Sequence, residues 1–351
     1  MKGLKKMTAV ALAAAMATSM TGCADASWIV KSGDTKLPVG VYVADLMESC
    51  MYGYMYMGNS YLKSEETVSK VTESAKDYVL DILGYLKRAE EMGLSLTDEE
   101  KEEIAADVES AWESSGSIYE ANRVSKESIM TINEASALAD KVFMAIYGEG
   151  GEKEVPEEEL HNIYTENYLK AGLMIFTKPA EASVSESATE EEKAQVKATY
   201  EASYNEVTSD VDYWMEQAES MMKAGNTFND VMIAYDFENT PITDNKDIDT
   251  GSRYTYIDKR DEGVPAEVIE YLEDAEYNAV ELVETEQYWV ICCRQDGVSD
   301  PADFESLKTS LLYDLKYEEM QADMDAYIEA LDVQFNESAL KRFAPSKLIL
   351  G

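Results

Sequence analysis

A single histidine, His161, and four cysteines, Cys23, Cys50, Cys292 and Cys293, make up nearly all the nucleophilic and metal-binding chemistry available to this 351-residue chain. A Ser/His/Asp relay would have to run through His161, and a zinc site needs a His/Cys cluster that the sequence does not contain. His161 follows Glu157, Glu158 and Glu159 and reads as a solvated side chain early in a helix. The carboxylates of Asn245–Asp249 suggest calcium, yet the EF-hand pattern fails at Thr250, where Gly is required, and at Tyr256, where Glu is required. That stretch reads as a solvated acidic loop, with weak calcium binding the alternative. Cys292 and Cys293 fall in the apolar run Tyr288–Cys293, whose successive side chains alternate between faces, so they read as small strand residues. A bond from Cys50 to either is left open. Phosphate-loop and dinucleotide glycine motifs are missing, and no cofactor is expected.

Cys23 is different. Ahead of it come a basic start (Lys2, Lys5, Lys6), an uncharged apolar stretch from Met7 to Met20, and the small residues Thr21 and Gly22. That order is an export signal, and its apolar run is too short for a bilayer, which needs about 20 residues. Thr21-Gly22-Cys23 resembles the bacterial lipoprotein processing site, with Met20 where Leu is usual. The resemblance implies cleavage before Cys23 and a diacylglyceryl thioether on its sulfur, and two acyl chains hold a protein stably on a membrane. The chain is therefore expected to be extracytoplasmic, anchored by Cys23 to the outer face of the cell membrane.

Without residues 1–22 there remains enough chain for two domains of ~150 residues each. The formal charge of −40 deepens by three when the signal lysines go, which excludes nucleic acid and anionic lipid headgroups as partners. With 45% hydrophobic residues and 23 tyrosines, the chain has ample apolar area to bury, so its acid coats a folded surface.

The elements that must position these residues follow from periodicity. Trp28-Ile29-Val30 reads as a strand closed by a turn at Ser32-Gly33-Asp34. Helical spacing then runs from Pro38 to Met57, from about Ser74 to Met92, from the Thr97–Glu100 capping box onward, and through Ile129–Ile146 to the glycines at 148–151. Pro156 opens a helix to Tyr168. After it come a strand at Leu173–Phe176, a loop from Pro179 to Thr189, a long helix ending at Gly225, a short helix from Thr227 to Phe237 and an acidic loop. A strand at Tyr254–Ile257, a helix at Pro265–Leu272, a strand at Tyr288–Cys293 and a helix from Ala302 to Leu331 complete the order. The Trp214, Met215, Met221 and Met222 group reads as helix core.

Several segments together resemble the SurA/PrsA class of extracytoplasmic foldases, which join a helical chaperone domain to a parvulin-type prolyl isomerase domain. They are Trp28–Tyr42, Val155–Leu160 with Tyr164 and Tyr168, Ala224-Gly225-Asn226-Thr227-Phe228, Val264–Val268, Tyr288–Cys293 and Val333–Leu340. The implied fold is α+β: a mainly helical chaperone domain, built from N-terminal helices and the C-terminal helix, with a small parvulin-like α+β domain inserted. Its expected divisions are a signal peptide at 1–22, a lipidated tether and strand at 23–37, and a helical domain with linker helix at 38–168. A degenerate parvulin-like domain at 169–297 and a returning C-terminal helix at 298–351 follow.

The resemblance implies a histidine on the first strand of the inserted domain and another on the last. Leu173 and Trp289 occupy those positions, and with Val268 and Leu272 they outline the expected pocket. No catalytic residue is assigned. Because the prolyl barrier of ~18–20 kcal/mol is torsional, an apolar pocket alone could lower it, so a weakened or lost isomerase, an active one and a non-enzymatic binding module all stay in view. Chaperoning requires adaptable apolar surface, and Met51–Met57 is dense in Met and Tyr. Tyr52, Met55 and Tyr56 are the candidate client-binding residues; in the alternative, one face of the segment packs inside while Tyr52 and Met55 cover neighbouring helices. The expected partners are unfolded or newly exported polypeptides and the membrane, and a homodimer is compatible with the sequence.

Overall fold

The structure is a computed structural model that describes residues 27–185, 187–239 and 251–350. The signal segment, Cys23 and the acidic stretch Asn245–Asp249 lie outside the described residues. The chain begins with strands β1 (Trp28–Ser32) and β2 (Thr35–Pro38) and helices α1 (Val39–Met57), α2 (Glu65–Met92), α3 (Asp98–Ala121) and α4 (Lys126–Tyr147). Next come α5 (Glu157–Asn167), β3 (Tyr168–Thr177), α6 (Glu190–Lys223), α7 (Phe228–Asn239), β4 (Thr255–Asp258), α8 (Ala266–Asp274), β5 (Val280–Glu284) and β6 (Tyr288–Gln295). The last elements are α9 (Pro301–Glu329), β7 (Val333–Phe335) and α10 (Glu337–Arg342). This is an α+β fold dominated by helix. It divides into two compact units, one of residues 1–155 and 312–351, the other of residues 156–311. No helix among the described residues is long and apolar enough to cross a membrane.

The helical unit is closed by a three-stranded antiparallel sheet of order β2-β1-β7. Gly33, with φ 57°, makes the tight turn from β1 to β2, a backbone state that suits glycine. On the other side of β1, Val30 pairs with Phe335, so the two ends of the unit share one sheet. Asn336 secures that junction. Its backbone N–H donates to Ile29 O and its side-chain amide to Trp28 O, both at 2.9 Å, while its Oδ1 caps α10 by accepting from Ala339 N. Ile29, Tyr42, Leu46, Cys50, Val79 and Leu83 form the buried centre.

Each helix start has a visible cause. Thr97 and Glu100 make the expected capping box, and Thr189 and Glu192 repeat it at α6. Helix α2 starts at Glu65, earlier than the Ser74 read from apolar spacing, because Ser64 caps it and Glu65 and Glu66 suit the N-terminal dipole. Gly84 lets α2 and α9 approach closely, since a Cβ there would lie 2.6 Å from Ile328 Cγ1.

The other unit is a four-stranded antiparallel sheet of order β4-β3-β6-β5. Met174, Phe176, Trp289, Ile291 and Cys293 pack with α6 and α7, where Trp214 is buried and Met215, Met221 and Met222 are partly so. Ala171, Val290 and Cys292 pack on the opposite face with Val268 and Leu272 of α8. Gly172 admits α7, since a Cβ there would meet Phe228 Cδ1 at 2.5 Å. The compact unit begins at Pro156, so α5 belongs with the sheet and not with the helical domain ending at 168. Its Tyr164 hydroxyl donates to Gly297 O, and the rings of His161 and Tyr164 lie 5.1 and 5.7 Å from Phe304.

Candidate functional site

The expected pocket of Leu173, Val268, Leu272 and Trp289 is split by the sheet. Leu173 pairs with Cys292 and Trp289 with Phe176. These rungs are an odd number of residues apart, and in a pleated sheet an odd offset places side chains on opposite faces. Leu173 therefore joins Val268 and Leu272 beneath α8, while Trp289 joins the α6/α7 face. There Trp289 is 5% exposed, its ring 5.1 Å from Tyr204 with Lys178 Nζ 5.0 Å from its centroid. The two positions that resemblance assigns to a pair of histidines do not converge. The resemblance carried the expectation; the register, which the sequence did not reveal, places the two side chains on opposite faces.

His161 is exposed. Cys50, Cys292 and Cys293 are free and buried, which closes the question of a Cys50 disulfide. Burial is the first cause raising all three thiols, Cys50 and Cys293 to about 11 and Cys292 to about 12. They stay protonated and unreactive at neutral pH. No group of three metal-type ligands exists among the described residues.

A polar node in the α+β unit had no sequence signal. Lys170 Nζ lies 2.8 and 2.6 Å from the two carboxylate oxygens of Asp303, and the Tyr256 hydroxyl donates to Oδ1 at 2.6 Å. Asp303 is only 8% exposed, so the node joins β3, β4 and the start of α9 through a largely desolvated charge pair. A neighbouring cleft of about 130 Å³ is lined by Tyr164, Lys259, Tyr277 and Arg294. Lys259 pairs with Glu273, and Arg294 donates to the carbonyls of Glu273 and Ala275, so these cations brace the fold.

The C-terminal end of α1 is different in kind. Gly53 lies beneath the ring of Tyr61, while large side chains before and after it on α1 are left uncovered. Met51 is 44% exposed, Tyr52 65%, Met55 78% and Tyr56 69%. The Tyr52 and Tyr56 rings are 4.5 Å apart. Of the two readings of this segment, coverage of neighbouring helices does not hold for Tyr52 and Met55. Adjacent to it along α1 is an acidic cleft of about 500 Å³, lined by Asp45 of α1 and by Lys70, Glu73, Ser74, Asp77, Tyr78 and Asp81 of α2. Burial, reinforced by Glu48, pushes the Asp45 carboxyl up to about 6. Burial also raises Asp81 to about 6, with Asp325 and Asp77 adding to it. Asp45 Oδ2 is buried without a hydrogen-bond partner. The available signal in the sequence was carboxylates interrupting two helices that otherwise alternate core and surface.

Comparison with known proteins places solved foldases beside the chain. It is similar to PrsA structures. The crystal structure of foldase protein PrsA from Streptococcus pneumoniae is 14% identical, with 79% of this chain and 93% of that chain covered and a TM-score of 0.38. PrsA from Bacillus subtilis is 12% identical over 80% of this chain and 87% of that one, with a TM-score of 0.33. The foldase protein PrsA from Lactococcus lactis is 12% identical over 91% and 99%, with a TM-score of 0.34. No family model matches the chain, and no curated protein does.

Proposed function

We propose that this chain is a membrane-anchored, extracytoplasmic folding factor that holds unfolded polypeptides transiently on the apolar end of α1. The carrying observation is the exposure of Met51, Tyr52, Met55 and Tyr56 on consecutive turns of one well-formed helix. Large flexible and aromatic side chains left uncovered together are the surface that adapts to many sequences. Covering a large apolar side chain yields about 1.5–3 kcal/mol, so Tyr52, Met55 and Tyr56 offer on the order of 5–9 kcal/mol before costs. Association consumes about 4–15 kcal/mol of that kind of gain, which leaves weak, reversible capture suited to a client that must be released.

The anchor in this reading is lipid on Cys23. The α+β unit serves as scaffold, because Leu173 and Trp289 face away from each other across its sheet. The test is suppression of light scattering by a reduced, unfolding client at stoichiometric full chain, set against a Tyr52→Ser/Met55→Ser/Tyr56→Ser variant. Suppression by the wild type and its loss in the variant are expected. Equal suppression by both, or none by either, removes the reading.

A further inference from the structure

The acidic cleft and the apolar end of α1 are linked by one stripe of that helix. Asp45, Glu48, Tyr52 and Tyr56 follow one another at steps of three and four, which places them in a single stripe along the helix. At a rise of 1.5 Å per residue, Asp45 stands about 10 Å from Tyr52 and about 16 Å from Tyr56 along the axis. An extended polypeptide advances ~3.3 Å per residue, so about five residues cover the stripe.

The charge on this surface is unbalanced. Lys70 pairs with Glu66 at 2.7 Å and Lys76 with Glu73 at 3.3 Å. Among the described residues, Asp45, Asp77 and Asp81 have no ion-pair partner. Their carboxylates are spread along the cleft instead of gathered at one point, a spacing that suits the long stem and head of an organic cation better than a metal ion. Asp45 Oδ2, buried and unpartnered, lacks the donor that an ammonium or guanidinium would supply. Tyr52 and Tyr56 beyond it are exposed aromatic rings, a side-chain type that also attracts cations.

We infer that this surface selects extended polypeptide segments carrying a Lys or Arg about four to five residues from an aromatic or aliphatic side chain, the cation entering the acidic cleft and the apolar group resting on Tyr52, Met55 and Tyr56. The inference rests on the proposed client-binding role and names the client chemistry. It also gives the surface a way to reject acidic chains, its own included, through like-charge repulsion.

The experiment measures fluorescence anisotropy of eight-residue peptides with the full chain at low salt. One peptide has Lys and Phe five residues apart; in the others Gln or Glu replaces the Lys. The Lys peptide is expected to bind at least ten times more tightly than the Gln peptide, and the Glu peptide most weakly. An Asp45→Asn/Asp77→Asn/Asp81→Asn variant should bind the Lys and Gln peptides alike. A variant with the same charge change on exposed α6 positions, Glu191→Gln/Glu206→Gln/Glu216→Gln, should keep the preference. Equal binding of the Lys and Gln peptides by the wild type overturns the inference and leaves the client-binding role standing. Equal loss of preference in both triple variants overturns it in favour of attraction by the net charge alone. Failure of every peptide to bind overturns the inference and the role together.

Discussion

Asp45→Asn isolates the electrostatic cost of the acidic cleft. The Asp45 carboxyl is raised to about 6 from an ordinary value of 3.8, first by burial and then by Glu48. A raised acid folds preferentially in its protonated form. The full stability is therefore present below the unfolded pKa, is lost as pH climbs from about 4 through about 6, and stays lost above that. A roughly hundredfold gain in proton affinity corresponds to about 3 kcal/mol, since each tenfold change is worth about 1.4 kcal/mol. Asp45 is half-buried and screened by solvent on one side, which reduces the expected penalty to about 1–1.5 kcal/mol. The neutral amide removes that penalty, so Asp45→Asn should stabilise the helical unit by about 1 kcal/mol at pH ~7.5 and by almost nothing at pH ~4. Urea unfolding at the two pH values, with wild type and variant compared at each, cancels the titration of all other groups. Destabilisation at the higher pH, or a gain of the same size at both pH values, would refute the assignment of the cost to an ionised, desolvated Asp45. Stability gained here and basic-peptide preference lost in the triple variant would together mark the cleft as strained for binding.

Asp303→Ala leaves the partly buried Lys170 without its carboxylate and removes the acceptor of Tyr256, and should cost about 3 kcal/mol, the low end for a buried pair, read as a fall in the urea midpoint of the α+β unit. An unchanged midpoint would show the node to be ornamental. Asn122 is buried and joins α3 to the C-terminal tail, donating to Ile349 O at 2.7 Å and accepting from Ile349 N at 2.8 Å. Asn122→Ala should cost about 1–3 kcal/mol and raise amide exchange at Ile349. Site-resolved thiol labelling at mildly alkaline pH should leave Cys50, Cys292 and Cys293 unmodified in the folded chain and modify all three in denaturant; rapid labelling of any of them in the fold would contradict their raised pKa values.

Helical spacing made most of the helices legible, because a 3.6-residue period is written into local sequence and Thr97, Pro156 and Gly225 punctuate it. Short strands were harder. The turn at Ser32-Gly33-Asp34 was legible, but Thr35–Pro38 and Val280–Glu284 gain their identity as strands from the partners they pair with. The same limit governed the site. Tyr52, Met55 and Tyr56 stood out by composition, but whether a neighbour covered them is a tertiary fact. The Leu173 and Trp289 pairing failed on a register that only the folded sheet fixes. Asp303 with Lys170 joins residues 133 apart, beyond any spacing rule.

The pairing of β1 with β7 has a consequence for how the chain acquires its shape. Residues Trp28–Ser32 pair with Val333–Phe335 across the whole of the intervening unit of residues 156–311. A chain delivered N-terminus first can complete the unit of residues 156–311 while β1 still waits for its neighbour. Closing so long a loop costs little more entropy than closing one half its length, yet it cannot begin until β7 exists. The surface on α1 thus belongs to a unit whose sheet closes only after the whole of residues 156–311 has been made, so the Met and Tyr side chains wait on a partner strand that the other unit does not need.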